Sequence, residues 1–375
     1  GVAEVQSKRH NEDRFPDHEI WNNIVLQVFS ETWNNGQYSC RTDGWLQDYC
    51  EHLGEHSCKQ DKAAVTPKII YEINSSFKTF VKNIDKNTII TGLDVLDKNM
   101  PITTGMNLGI VGAPSVGKTA LALNILNNTS KAGVKTVFAS LDMHRNRVFE
   151  KLMYKITGLP REELYKIYME DRESQYLEKL KQEFGNVYFF DKSSPSVSDI
   201  RDYILQCQEQ SGEKIKLVML DYFERVSSDF SDDTQASKRV AGELQDLVND
   251  LDIALITLVQ PNKNAISGGP HEPIYDYTKI KGSSYLYQAF RGIISMWRPF
   301  FHPELKQYDK FLEMAICKND LGELNTFLFN WNGKKGLITS PSDDDLLEYE
   351  ACMKDKARIL GSKGKNEDGF NGASY

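Results

Sequence analysis

The chain has 375 residues, 40% of them hydrophobic and 26% charged, with a formal net charge of −8. That is ordinary globular composition, enough for one large α/β domain and a smaller one, and no apolar run approaches the roughly 18 residues of a membrane-spanning helix. Six scattered cysteines (Cys40, Cys50, Cys58, Cys207, Cys317, Cys352) exclude a disulfide scaffold and point to a reducing, intracellular setting, while the acidic balance neither announces nor excludes nucleic acid, because a few basic loops suffice to line a channel.

Residues 1–66 form a polar region rich in Asn, His, Trp and Cys, opening on Gly1 as a trimmed or processed chain would. Apolar spacing predicts an amphipathic helix from about Asp17 to Trp33, with Ile20, Ile24, Val25 and Val28 on one face. Cys40, Cys50, His52, His56 and Cys58 are zinc-ligand residue types, but their spacing follows no zinc pattern. Small buried cysteines and solvent-facing histidines are the plainer reading, with Trp21, Trp33 and Trp45 as local core. Residues 67–84 read as a linker carrying a helix from Ile69 to Phe80.

From 85 to about 340 apolar strands alternate with helical stretches, the pattern of a mostly parallel twisted sheet flanked by helices. The strands predicted are Leu108–Val111, Thr136–Ser140, Val187–Phe190, Leu217–Leu220, Ala254–Val259, Gly292–Trp297 and Glu313–Lys318. Helices between them include Arg145–Thr157 and Ser237–Asn249. Residues 341–375 read as an acidic, flexible tail, helical over Asp343–Met353 and tail-like from Ile359.

The chemistry starts at Gly112-Ala-Pro-Ser-Val-Gly-Lys-Thr119, which fits G-x-x-x-x-G-K-[ST]. An apolar run of strand character precedes it and an apolar stretch at helical spacing follows, so the pattern sits in the context a phosphate-binding P-loop needs. The loop Gly112, Ala113, Pro114, Ser115, Val116 and Gly117 would wrap the phosphates, its N–H groups (all but that of Pro114, which has none) donating to phosphate oxygens. Lys118 would meet the β/γ-phosphates and Thr119 a Mg²⁺ ion. Three further apolar strands end in polar residues. Asp221 closes Lys216-Leu-Val-Met-Leu-Asp and is suited to hold Mg²⁺ through water. Asp142 follows Phe138-Ala-Ser-Leu, suited either to orient the attacking water or to cap the helix at Arg145. Gln260 closes Ile256-Thr-Leu-Val and can sense the γ-phosphate; the loop after it, from Asn262 to Pro273, holds two glycines, two prolines and one cation, Lys263.

Taken in order, these motifs resemble the RecA-like motor domain of DnaB-type hexameric replicative helicases, a group that includes phage primase-helicases. The resemblance runs through Thr91-Gly-Leu-Asp-Val-Leu-Asp97, the P-loop, Ser140-Leu-Asp-Met143, Leu220-Asp-Tyr-Phe223 and Val259-Gln-Pro-Asn262. It continues through Lys281-Gly-Ser-Ser-Tyr-Leu-Tyr-Gln288, Trp297-Arg298 and Lys318-Asn-Asp-Leu-Gly322. It implies a homo-hexameric ring on single-stranded DNA, with ATP (or another NTP) and Mg²⁺ bound between subunits. Lys118, Asp142, Gln260 and Lys318 would be catalytic, and Arg298 would flank the nucleotide. Lys263, Asn264, Lys281, Gly282 and Ser283 would touch DNA. A primase, a helicase loader or a replisome polymerase would be partners, in the cytoplasm, or the host's if the chain is phage-encoded. Residues 1–66 would be a collar or partner-docking region.

Two departures stand out. The family's catalytic glutamate is Asp142, one methylene shorter, and its arginine-finger position is Asp320. An arginine there stabilises transition-state charge and is worth several powers of ten. These departures support one alternative, a nucleotide-binding structural subunit with weak hydrolysis. A RecA/KaiC-like ATPase assembly in recombination or regulation is another, against which Ser140-Leu-Asp-Met143 and Lys281–Gln288 speak.

Overall fold

The computed structural model describes residues 70–230, 232–261, 283–320 and 322–363. The helix expected at Asp17–Trp33 and the Cys/His cluster lie outside them. The chain divides at Lys78/Thr79 into two units. That division falls within a helix, Ile70–Lys82, close to the linker helix expected, and none of its residues is buried.

The second unit opens with a small antiparallel ribbon, β1 (Thr88–Ile89) and β2 (Ile102–Thr103). Between them the Thr91-Gly-Leu-Asp-Val-Leu-Asp97 motif explains itself. The Asp97 carboxylate accepts from the Thr91 N–H, the Thr91 hydroxyl and the Gly92 N–H at 2.9, 2.7 and 3.0 Å. The Thr91 carbonyl in turn accepts from Asn128 Nδ2 at 2.8 Å. The turn is thereby clamped onto the helix Lys118–Lys131.

The body is a nine-stranded sheet. Its strands are β3 (Asn107–Gly112), β4 (Thr136–Ser140), β5 (Val187–Phe190), β6 (Leu217–Asp221), β7 (Ala254–Val259), β8 (Gly292–Trp297), β9 (Phe311–Asn319), β10 (Thr326–Asn332) and β11 (Leu337–Thr339). They lie in the order β11-β10-β9-β8-β3-β7-β6-β4-β5. From β8 to β5 all pairings are parallel; β9, β10 and β11 add antiparallel to one side. All seven predicted strands are present. β10 and β11 are additions that the sequence pattern did not disclose.

Because both faces of the parallel strands are covered, successive residues feed two cores. Leu108, Ile110, Met219, Ile256, Leu258 and Met296 pack under Leu121, Ile125 and Leu152 from the helices Lys118–Lys131 and Arg145–Thr157. Val111, Val218, Leu220, Leu255 and Ile293 pack on the other face against Ile204, Leu244, Val248 and Leu286. A third cluster (Trp297, Leu305, Phe311, Leu328, Cys352, Ile359) sits beside the antiparallel strands.

The helix expected over Asp343–Met353 runs on past the point where a flexible tail was expected, as far as Lys363, and the third cluster shows why; residues 364–375 lie outside the described ones. The helix Asp343–Lys363 is continuous, and Cys352, Lys356 and Ile359 along it are buried. The physical reason is a long-range pair: Lys356 Nζ donates to both carboxylate oxygens of Glu313 on β9, at 3.0 and 3.2 Å. Among the described residues no helix is long and apolar enough to cross a membrane.

Candidate nucleotide site

Strand order builds the site. β3, β7, β6 and β4 are consecutive neighbours. Registers Val111↔Val259, Leu258↔Asp221 and Asp221↔Ser140 set their carboxyl ends side by side. The P-loop, Gln260, Asp221 and Asp142 therefore stand in a row on one edge, where open α/β sheets bind ligands. A cleft of about 490 Å³ lies there, lined by Lys118, Thr119, Asp142, Asp221 and Gln260 among others.

The loop turns directly into the helix that starts at Lys118. Its N-cap is Gly117 at φ +116°, and no side chain caps the helix, so the first amides face the cleft as an anion site. Gly117 is required twice over: its φ is left-handed, and a Cβ there would lie 2.9 Å from the Trp331 ring. Lys118 Nζ donates to the Gly112 and Ala113 carbonyls at 2.6 and 3.2 Å. Burial lowers the Lys118 pKa, opposed by the charges of Asp221 and Glu224.

Thr119 Oγ1 donates to Asp221 Oδ2 at 2.9 Å. Asp221 is buried; desolvation raises its pKa, and the Thr119 hydrogen bond and Lys118 charge act against that. Two hard oxygens side by side at the phosphate end of the cleft fit Mg²⁺, which takes one or two protein oxygens together with substrate phosphates. Among the described residues no cluster of three His, Cys, Asp or Glu side chains offers another metal site.

Asp142 does not cap the following helix. That cap is His144, whose Nδ1 accepts from the Asn146 N–H at 3.3 Å. Asp142 points into the cleft and is met by Arg225 Nη2 at 3.3 Å. Gln260 is anchored through its backbone, whose N–H donates to Glu224 Oε1 at 3.0 Å. Arg225 and Glu224 were not singled out from sequence, since both act across separate loops; their only local signal is a charged pair just after a strand-end acid.

Arg298 lies at the same end of the sheet but does not line the cleft. It is buried, donates to the Asp309 carbonyl at 2.7 Å and stacks against Phe300, Phe301 and Trp331. Trp331 lines the cleft itself. Lys318 sits at the opposite end of the sheet, where its Nζ donates to the Tyr287 and Phe290 carbonyls at 2.8 and 2.6 Å. Lys263, Asn264, Lys281 and Gly282 lie outside the described residues; Ser283 opens the helix Ser283–Ala289.

A basic turn, Gly333-Lys-Lys-Gly336, and Lys155 complete the cleft. Lys155 Nζ donates to Asn124 Oδ1 at 2.7 Å, and burial lowers its pKa to about 8. The unfolded lysine titrates near 10.5. Between those values the unfolded chain binds more protons, so Lys155 opposes folding fully below pH 8 and ceases to do so as pH rises to about 10.5. In the cleft the same proton favours a polyanion. Nucleoside-triphosphate affinity is expected to weaken roughly three- to tenfold from pH 7 to 9, the scale of one partly screened charge. Lys155→Met flattens that limb; calorimetric titration at each pH checks it.

The sequence profile of the DnaB-like helicase C terminal domain matches residues 88–339. A solved structure described as an ATPase domain is similar at a TM-score of 0.63 and 21% identity, over 74% of this chain and 100% of that one. The structure of a DnaB-like replicative helicase, solved to describe its interactions with primase, is similar at 0.61 and 19% identity, over 86% of this chain and 77% of the other.

Proposed function

The chain belongs to the DnaB-like helicase C terminal domain family, and from that premise we propose that it is the ATP-driven motor of a replicative DNA helicase. The observation that carries the reading is the row formed by the P-loop, Gln260, Asp221 and Asp142 on consecutive strands. In this reading the loop amides and Lys118 hold the β- and γ-phosphates. Thr119 and Asp221 would hold Mg²⁺, which neutralises phosphate charge when bound. Asp142 orients water toward the γ-phosphorus and takes its proton, with Arg225 fixing the carboxylate's direction. The Gln260 amide reads the γ-phosphate while its backbone stays tied to Glu224.

The assembly is a ring of six copies on single-stranded DNA. The DNA contacts fall to Lys263, Asn264, Lys281, Gly282 and Ser283, and Arg298 flanks the nucleotide through its stack with Trp331. The protein is of phage type, works in the host cytoplasm, and meets a primase, a loader or a polymerase through residues 1–66. A forked-duplex unwinding assay with ATP, run beside mass measurement with and without nucleotide, tests this. Strand separation with ATP turnover stimulated by single-stranded DNA is the expected result. Tight ATP binding with no turnover would instead mark a structural subunit, and turnover without strand separation a regulatory ATPase assembly.

A further inference from the structure

The cleft holds lysines but no arginine among its described lining residues, whereas phosphoryl transfer in P-loop enzymes commonly draws on an arginine supplied in cis or in trans. Where the resemblance leads one to look for it stands Asp320, an acid. The sheet supplies a cation beside it. Asp320 closes the turn after β9 and its N–H donates to the Arg291 carbonyl at 3.0 Å. The Arg291 guanidinium, just before β8, reaches the Asp320 carboxylate at 3.3 Å. Arg291 is well exposed, its side chain 59% accessible. Lys318, by contrast, is 16% accessible and committed to two carbonyls.

Arg291 cannot serve its own cleft. Its N–H donates to the Asn107 carbonyl at the start of β3, while the phosphate loop leaves the far end of that strand, about 17 Å away at 3.3 Å per residue. A group at one end of the sheet reaches a site at the other only in a second copy, joined head to tail, the arrangement that closes into rings. We propose that Arg291 is the catalytic arginine supplied in trans to the neighbouring copy's γ-phosphate, with Asp320 as the residue that positions it. The inference rests on the multi-copy motor proposed above. In the step it serves, water oxygen bonds to the γ-phosphorus and the bond to the β–γ bridging oxygen breaks. Nucleoside diphosphate and phosphate leave, and the water proton passes through Asp142 to solvent. Arg291 forms no covalent bond; its planar fork stabilises charge on the departing oxygens.

The test mixes two full-length variants, Lys118→Ala and Arg291→Ala, co-expressed so that copies exchange. Arg291→Ala alone is expected to lose at least about a hundredfold in turnover with unchanged affinity for a non-hydrolysable triphosphate, whereas Lys118→Ala loses both. In an equimolar mixture the interfaces that join an intact loop to an intact arginine are about a quarter of the total in a head-to-tail ring, and turnover is expected to rise toward that fraction of wild type. A mixture no more active than the mean of its parts overturns the proposal. Arg291→Lys keeps the charge and guards against misfolding: it should hydrolyse more than Arg291→Ala, and full activity in either variant also overturns it. Asp320→Asn should lower kcat with KM held, and Asp320→Glu should recover part of the loss. Wild-type protein without DNA-stimulated turnover would refute the helicase reading instead, and the mixing result would still report whether Arg291 acts in trans.

Discussion

Replacing Lys118 with alanine is expected to lower nucleoside-triphosphate turnover by at least about 10²–10³-fold, the loss of roughly 3–4 kcal/mol of transition-state stabilisation that removing one well-placed donor costs. Affinity for the triphosphate should fall with it, because in the proposed role the ammonium meets the β- and γ-phosphates before and during the reaction. The fold should survive. Burial already lowers the Lys118 pKa, so the charged side chain is carried at some expense, and its bonds to the Gly112 and Ala113 carbonyls lie at the cleft rather than in either core. Thermal unfolding within a few degrees of wild type, together with lost turnover, is the outcome that assigns Lys118 to phosphate. Turnover within tenfold of wild type would remove it from that role, and with it the reading of the loop.

The second large effect concerns stability. Glu313 and Lys356 face each other with side chains only 2% and 11% accessible, and Lys356 also stacks over the Trp297 ring at 4.5 Å. Taking away one member of a buried ion pair costs about 3–5 kcal/mol, since the remaining charge keeps its desolvation penalty and loses its counter-charge. Lys356→Ala is therefore expected to destabilise the domain by that amount in urea unfolding. The double change Glu313→Gln with Lys356→Met removes both charges and should cost far less. A loss below about 1 kcal/mol in the single variant would mean that the helix Asp343–Lys363 is held by its apolar contacts alone.

These expectations also show what could be read from the chain itself. Strands β4, β5, β7 and β8 have the predicted limits because each is a short apolar run between turn residues, and all but the edge strand β5 are buried on both faces. β10 escaped because Thr326-Phe-Leu-Phe-Asn-Trp-Asn mixes exposed and buried positions without clean alternation. Each strand-end acid was legible as a local event. That Asp142, Asp221 and Gln260 stand beside one phosphate loop came only through the family resemblance, since the residues' own pattern does not disclose strand order, a property of the whole sheet. Arg291 and Asp320 are 29 residues apart and meet only through the β8–β9 register. Lys356 looked like one more charge in an acidic tail because its partner is 43 positions away.

Gly109 carries one last consequence. A Cβ on it would come within 2.7 Å of the Phe290 ring, so this strand-interior glycine is the socket into which Phe290 plugs at the end of the helix Ser283–Ala289. The Phe290 carbonyl is further latched by Lys318. At the other boundary of residues 262–282, the Gln260 N–H is latched by Glu224. Among the described residues, both splice points are thus secured by contacts from outside the intervening stretch. In the motor proposed above, that stretch is therefore an exchangeable cartridge: new contacts for a new strand of nucleic acid could be grafted between two sockets without rewriting the engine they plug into.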